Sequence, residues 1–237
     1  MGREYFEFRQ FIVHQERCAM KVGTDGTLLG AWADLRAEEG RVLDIGTGTG
    51  LIALMMAQRF PKCRVVAIDI DEAACQQARQ NVSTSPFANR IQVLQHDVAA
   101  YTDEARGFDA IVSNPPYFQQ SLECPDNQRT TARHTTTLNY TQLMQSAWRL
   151  LRDDGLLSLI IPDDCRSRLD AEARLHGFFL TRLCAVRTTP RKNPKRYLME
   201  FRKIPVAELD RQEGILEIQP NVRSPWYQSL TKDFYIK

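Results

Sequence analysis

The stretch from Arg41 to Gly50, "RVLDIGTGTG", limits the fold more than any other part of this chain. A short apolar run ends in an acid, and glycines then stand at alternate positions, Gly46, Gly48 and Gly50. "LIALMMAQRF" comes directly after with helical character. A buried strand that must turn at once into a helix opens a βαβ unit. The pattern then repeats. "CRVVAIDI" reads as a second buried strand, and "DEAACQQARQNV" as a helix opened by Asp71 and Glu72, where the helix dipole favours acids. "IQVLQHDV" and "GFDAIVSN" read as a third and a fourth strand. "NYTQLMQSAWRLL" reads as a helix capped by Asn139, and "GLLSLIIP" as a fifth strand, entered through Gly155 and closed by Pro162. Near-continuous apolar strands alternating with helices predict an α/β fold, its mostly parallel sheet covered on both faces.

Two later runs depart from that rhythm. "FFLTRLCAVRTT" and "RYLMEFRKI" have no helix between them, and their linker "PRKNPK" holds two prolines and three cations. This predicts an antiparallel hairpin at the sheet edge. Residues 1–40 precede the first core strand. Residues 118–138 are polar without apolar periodicity, and a loop of that length in a compact domain is usually functional or disordered. The 237 residues suit one domain, with an extension (1–40), a core (41–204) and a tail of mixed character (205–237).

Composition excludes several classes. Hydrophobic residues make up 43% and charged ones 25%, so a sizeable core is within reach and the chain reads as soluble and globular. The net charge of +2 is too small to name a partner. The six cysteines form no C-x-x-C pair and have no histidine at zinc spacing, so no metal site is expected and the thiols read as reduced, in a cytoplasmic protein. The charged N-terminus lacks an apolar signal core, and no apolar run reaches membrane length. Nothing in the sequence signals an obligate protein partner.

The glycine loop is the first candidate site. Glycines let the backbone approach a ligand closely, and the helix after them bares N–H groups toward acceptors. About 20 residues on, a second strand ends in Asp69, whose carboxylate can accept both ribose hydroxyls of an adenosine. That spacing fits a dinucleotide or S-adenosylmethionine. Asp44, directly ahead of the glycines, favours the second: a carboxylate there repels a pyrophosphate and suits an ammonium group. Asp97, after the third strand, lies where side chains line the crevice of a parallel sheet and can accept from an adenine amine, or it caps the start of the next helical turn. Asp71 reads as a helix cap.

The fourth strand stops at Asn114-Pro115-Pro116-Tyr117. The prolines fix their own φ angles, and Pro116 also restricts Pro115, so the Pro115 carbonyl is held rigidly. With the Asn114 side-chain oxygen it offers two acceptors for the two hydrogens of one planar NH2 group. Such a pair tilts the nitrogen and exposes its lone pair toward an electrophilic methyl group, and Tyr117 can stack on the ring that carries the amine. Most of the catalysis would be positioning.

Together "DIGTGTG", the acid of "AIDID" and "NPPY" resemble the class I S-adenosylmethionine-dependent amino-methyltransferases that carry an N-P-P-Y motif. The resemblance implies a Rossmann-like fold, with a mostly parallel seven-stranded sheet, an antiparallel edge hairpin and helices on both faces. It implies S-adenosyl-L-methionine as cofactor and S-adenosyl-L-homocysteine as product. Asn114, Pro115, Pro116 and Tyr117 match the substrate-amine motif, and Asp44, Gly46, Gly48, Gly50, Asp69 and Asp97 the cofactor positions. "CAMKVGTDGTLLGAW" looks like an upstream segment that approaches the methionine end of the cofactor, through Lys21, Gly23, Thr24 and Asp25; read alone, it is an ordinary helix start that Thr24 or Asp25 would cap.

Members of this family act on adenine N6 in DNA or RNA, on guanine N2 in ribosomal RNA, and on glutamine in release factors. Only about 40 residues precede the glycine loop, which leaves no room for the helical domain of the glutamine enzymes, and no stretch is long enough for a DNA target-recognition domain. The chain closely resembles, over nearly its full length, the branch that methylates adenine N6 beside the anticodon of tRNA. That implies tRNA as partner. A glutamine or ribosomal RNA enzyme of the same class, or a catalytically silent RNA-binding relative, are the alternatives.

Charge distribution agrees with an RNA partner. Arg191, Lys192, Lys195 and Arg196 belong to a cation-rich stretch, Arg182 to Lys203, in which only Glu200 opposes. A basic hairpin beside the crevice suits phosphates, although lysines also blunt exposed edges. Arg129, Arg133 and His134, in the long loop, either close over an RNA strand or are merely solvated.

Overall fold

The computed structural model describes residues 4–18, 21–105, 107–116 and 138–236. A hairpin comes first, β1 (Tyr5–Glu7) with β2 (Ile12–His14), and then helix α1 (Thr24–Trp32). The alternating part then runs β3 (Arg41–Ile45), α2 (Leu51–Arg59), β4 (Arg64–Asp69), α3 (Glu72–Ser83), β5 (Ile91–Gln95) and β6 (Phe108–Ser113). It continues with α4 (Tyr140–Leu150), β7 (Leu151–Pro162), α5 (Arg166–Leu175), β8 (Phe179–Arg187) and β9 (Pro194–Arg202). The tail holds β10 (Asp210–Ile215), β11 (Glu217–Gln219), β12 (Val222–Arg223) and α6 (Pro225–Thr231).

Among the described residues the main sheet has eight strands, in the order β10-β8-β9-β7-β6-β3-β4-β5. Strands β7, β6, β3, β4 and β5 run parallel to one another, and β9 is antiparallel to both β7 and β8. The fold is that expected for a class I methyltransferase, with one addition. The predicted hairpin does not end the sheet: the tail returns and lays β10 parallel along β8, pairing Asp210 with Arg182 and Ile215 with Arg187. "DRQEGI" carries almost no apolar signal, because an outermost strand buries little side-chain surface and is held by its backbone ladder.

Alternation along each strand sorts the core into two layers. Val42, Val65, Ala67, Ala110, Val112 and Ile160 face one layer, shared with α1, α2 and the N-terminal hairpin. Leu43, Ile45, Val66, Ile68, Ile111 and Leu159 face the other, which α4 and α5 cover. Helices on both faces explain why these strands read as continuous apolar runs. Asn139 caps α4 in a capping box with Gln142, and the Asp71 side chain accepts from Ala73 N (2.9 Å) to cap α3. Neither Thr24 nor Asp25 caps α1; Gly23 occupies the cap position without a side-chain bond. Among the described residues no helix is long and apolar enough to cross a membrane.

Candidate functional site

The chain passes from β3 through β4 to β5 in one direction and returns with β6 on the other side of β3. Ligands of doubly wound sheets bind where the strand order reverses in this way. The last rung of the β3–β6 ladder pairs Ile45 with Ser113, and one residue further stand Gly46 and Asn114. The Ser113 hydroxyl donates to the Ile45 carbonyl (2.8 Å), locking the two strand ends together. A cavity of about 260 Å³ opens there, lined among others by Gly46, Gly48, Asp69, Asp97, Asn114 and Pro116. Four strand ends thus bring glycine loop, two acids and the N-P-P corner into one space. Pro115 is buried beside it.

Local bonds shape the loop. Gly46 and Thr47 both donate their N–H groups to Ile68 O (2.8 and 3.0 Å), which lays the turn over the end of β4. Gly48 N donates to Asp69 Oδ2 (2.8 Å), and Asp71 N to Asp69 Oδ1 (3.0 Å). Each carboxylate oxygen can accept twice, so Asp69 keeps one acceptor position per oxygen. Gly46, Gly48 and Gly50 have φ of 71°, 54° and 80°, a region that favours glycine. A Cβ at Gly46 or Gly48 would meet no atom within 4 Å, so it would project into the space a ligand would use. Gly50 plays another part: it lies outside the cavity lining, and a Cβ there would meet Ala78 at 3.4 Å, where α2 starts against α3.

Asp44 sits beneath the loop, fully buried. Its Oδ2 accepts from the Thr47 hydroxyl (2.6 Å) and from Ala53 N (3.2 Å). Oδ1 is buried with no hydrogen-bond partner among the described residues. Burial pushes its carboxyl from 3.8 up to about 7, against the lowering by Thr47 and Ala53. An orphaned carboxylate oxygen is suited to a cationic group, although Asp44 itself does not line the cavity. Cys18 also lines the cavity, but burial first, then Asp69 and Asp71, raise its thiol to about 11, so it is no thiolate nucleophile at neutral pH.

Asp97 Oδ1 accepts from Ala99 N (2.9 Å), as a capping residue does, and Asp97 also lines the cavity. Asp71 likewise caps α3 and lines the cavity. The upstream set divides among several places. Gly23 and Thr24 line a second cavity, Lys21 is exposed and lines neither, and Asp25 pairs with Arg196 (2.6 Å). Arg191, Lys192 and Lys195 are exposed and line neither cavity. Register still places them well. Pro162 pairs with Arg196 and Arg187 with Pro194, so the turn of the basic hairpin stands at the sheet edge where β6 and β7 end. Tyr117, Arg129, Arg133 and His134 lie outside the described residues.

Several lining residues carry little or no signal in the sequence: Cys18, Ile70, His96, Ser113 and Gln142. Ile70 has a usable one, an isoleucine between two acids just past a strand end, and it is 52% exposed. His96 and Ser113 are the residues next to Asp97 and Asn114. Cys18 and Gln142 reach the site through tertiary packing, which no local pattern announces. Among the described residues no group of His, Cys, Asp and Glu side chains is placed to hold a metal ion.

The sequence pattern of the family described as "Methyltransferase small domain" matches residues 25–185. The chain is 48% identical over 236 residues to a tRNA1(Val) (adenine(37)-N6)-methyltransferase of Phocaeicola vulgatus, covering 100% of this chain and 99% of that protein. It is 47% identical to the protein of the same name from Parabacteroides distasonis, covering 100% of both. Among solved structures it resembles that of "a predicted O-methyltransferase, protein Atu636 from Agrobacterium tumefaciens", with a TM-score of 0.69 over 89% of this chain and 96% of that one, at 22% identity.

Proposed function

The chain belongs to the methyltransferase small domain family, and from that premise we propose that it transfers a methyl group from S-adenosylmethionine to N6 of adenine 37, beside the anticodon of tRNA1(Val). Full-length identity of 42–48% to relatives bearing that name supports the substrate. The meeting of Asn114 and Pro116 with Gly46, Gly48 and Asp69 around one cavity is the observation that carries the reaction class.

The residues present fit the cofactor. Asp69 has acceptor capacity left for ribose hydroxyls, Asp97 for an adenine amine, and the orphaned oxygen of Asp44 for an ammonium group, directly or through water. S-adenosylmethionine, when bound, supplies an electrophilic methyl group on a sulfonium centre. The work of this chain is then positional. The Asn114 side-chain oxygen and the Pro115 carbonyl accept the two hydrogens of the adenine amine, which turns its lone pair out of the ring plane. Tyr117, expected from the motif, stacks on the base. The proton leaves the amine after attack, to water or to the corner, so no general base of unusual pKa is needed. The basic hairpin, Arg191 to Arg196, stands at the same sheet edge and suits RNA phosphates.

Incubation with labelled S-adenosylmethionine and an unmodified tRNA1(Val) transcript, and then mass spectrometry of the nucleosides, tests this reading. N6-methyladenosine at position 37 is the expected product. Label in a protein glutamine, with none in tRNA, would sink it.

A further inference from the structure

A second cavity lies apart from the one described above. About 970 Å³ of space lies between the N-terminal hairpin, the start of α1 and the C-terminal helix α6 with the residues after it. We propose that this cavity is a second RNA pocket, which holds an unpaired nucleotide of the substrate strand within about four positions of the one being modified. The inference rests on the reading of the substrate as RNA, and it gives the tail a task.

Chemistry of the lining points that way. Arg9, Arg223 and Lys232 contribute three exposed cations, against one acid, Asp233. Phe6 and Tyr235 contribute half-buried aromatic rings, next to the buried Tyr227. Cations for phosphates beside rings for bases is how proteins take hold of single-stranded RNA. The parts are also built into the fold. Arg9 N donates to Phe234 O (2.8 Å) and Arg9 Nε to Tyr235 O (2.7 Å), so the first hairpin and the last residues form one wall. The Tyr227 and Tyr235 hydroxyls are 2.9 Å apart, and the Arg223 guanidinium lies over the Tyr227 ring at 4.9 Å. Arg223 is also paired with Glu217 (3.1 Å), yet half of its side chain stays exposed.

Position supports the same partner. Leu216 N donates to Arg187 O and Glu217 N to Thr188 O, each at 3.0 Å, which fastens the tail to the end of β8, on the edge that carries the basic hairpin. Cys18 lines the first cavity, whereas Val22, Gly23 and Thr24 line the second. Cys18 and Val22 are four residues apart in sequence, so those walls are separated by no more than about 14 Å. That distance is on the order of four stacked nucleotides at ~3.4 Å each. An anticodon loop that delivers one base to the first cavity would therefore bring a nucleotide within about four positions of it to the second.

The test is a tRNA titration with the double variant Arg223→Gln, Lys232→Gln, read by fluorescence anisotropy from low to high KCl with S-adenosylhomocysteine present. Arg174→Gln, a 72% exposed cation on α5, serves as control. The double variant should bind unmodified tRNA1(Val) about tenfold more weakly. Its slope of log affinity against log salt should fall by about 1.4, since each lost contact to a single strand removes ~0.7. Its affinity for S-adenosylhomocysteine should hold, showing that the fold is intact. Affinity and slope equal to wild type would overturn the pocket while leaving the methyltransferase reading untouched. A wild-type protein that neither binds nor methylates tRNA would fail at the first step and overturn both. Loss of S-adenosylhomocysteine binding in the double variant would also overturn the proposal, because it would tie these cations to the fold instead of to RNA.

Discussion

Arg196 Nη1 lies 2.6 Å from Asp25 Oδ1, an ion pair that joins the start of α1 to β9 across 171 residues of sequence. The sequence alone assigns these two residues to different tasks, one toward the cofactor and one toward RNA. Their pairing makes them a brace between the upstream segment and the basic hairpin. Both side chains are about a quarter exposed, so the pair is worth more than a fully solvated one. A double-mutant cycle with Asp25→Asn and Arg196→Gln, read by urea unfolding, should give a coupling of about 1 kcal/mol. Effects that add to within about 0.3 kcal/mol would show that the brace carries no energy.

Asp44 should make the protein respond to pH. Its folded pKa of about 7 lies above the ordinary 3.8, so between those values the folded state binds more protons than the unfolded one. Its contribution to stability is therefore full in acid and is lost as pH rises through 7. Relative to wild type, Asp44→Asn should lack that decline, measured as urea midpoints from pH 4 to 8. Binding should run the other way. The ammonium of S-adenosylhomocysteine favours the ionised carboxylate, so wild-type affinity should rise from pH 5.5 to 7.5. An Asp44→Asn affinity that rises equally would remove Asp44 from the cofactor site.

Gly48→Ala separates a plain turn from a ligand cradle. Gly48 has φ of 54°, so alanine there costs about 1 kcal/mol of stability. The added methyl meets no atom within 4 Å and enters the space beside Asp69. Affinity for S-adenosylhomocysteine by calorimetry should fall tenfold or more, beyond what that small destabilisation explains. An unchanged affinity would reduce the loop to a turn.

In the proposed mechanism, Asn114→Ala removes one of the two acceptors offered to the substrate amine. The rate constant at saturating substrates should drop by about 10²-fold or more, the scale seen when one positioned polar group at a reacting centre is deleted. Binding of tRNA and of S-adenosylhomocysteine should change little. Weaker binding with an unchanged rate constant would place Asn114 in recognition instead of chemistry.

The strand-to-helix rhythm from Arg41 to Pro162 is legible because each element buries a face that its own residues announce. Asn139 and Asp71 announce their caps for a similar reason: a cap bonds to backbone two or three residues away. The edge is less legible. The "NPKRYLMEF" strand is visible, but "DRQEGI" is not, because a polar strand joins a sheet through backbone groups that every residue has.

The sequence by itself therefore determined the parallel core, the glycine loop at the end of β3 and the proline corner at the end of β6, all set by contacts within a few residues. Only the tertiary structure decided that Ile45 and Ser113 are neighbours, which places Gly46 beside Asn114. It likewise decided that Asp25 pairs with Arg196, that β10 covers the hairpin, and that the N-terminal hairpin and the C-terminal segment close around a second cavity. The physical reason is range. Propensity, capping and turn chemistry act over a few residues and leave a local mark, whereas strand order and chain-end packing join residues far apart and leave none.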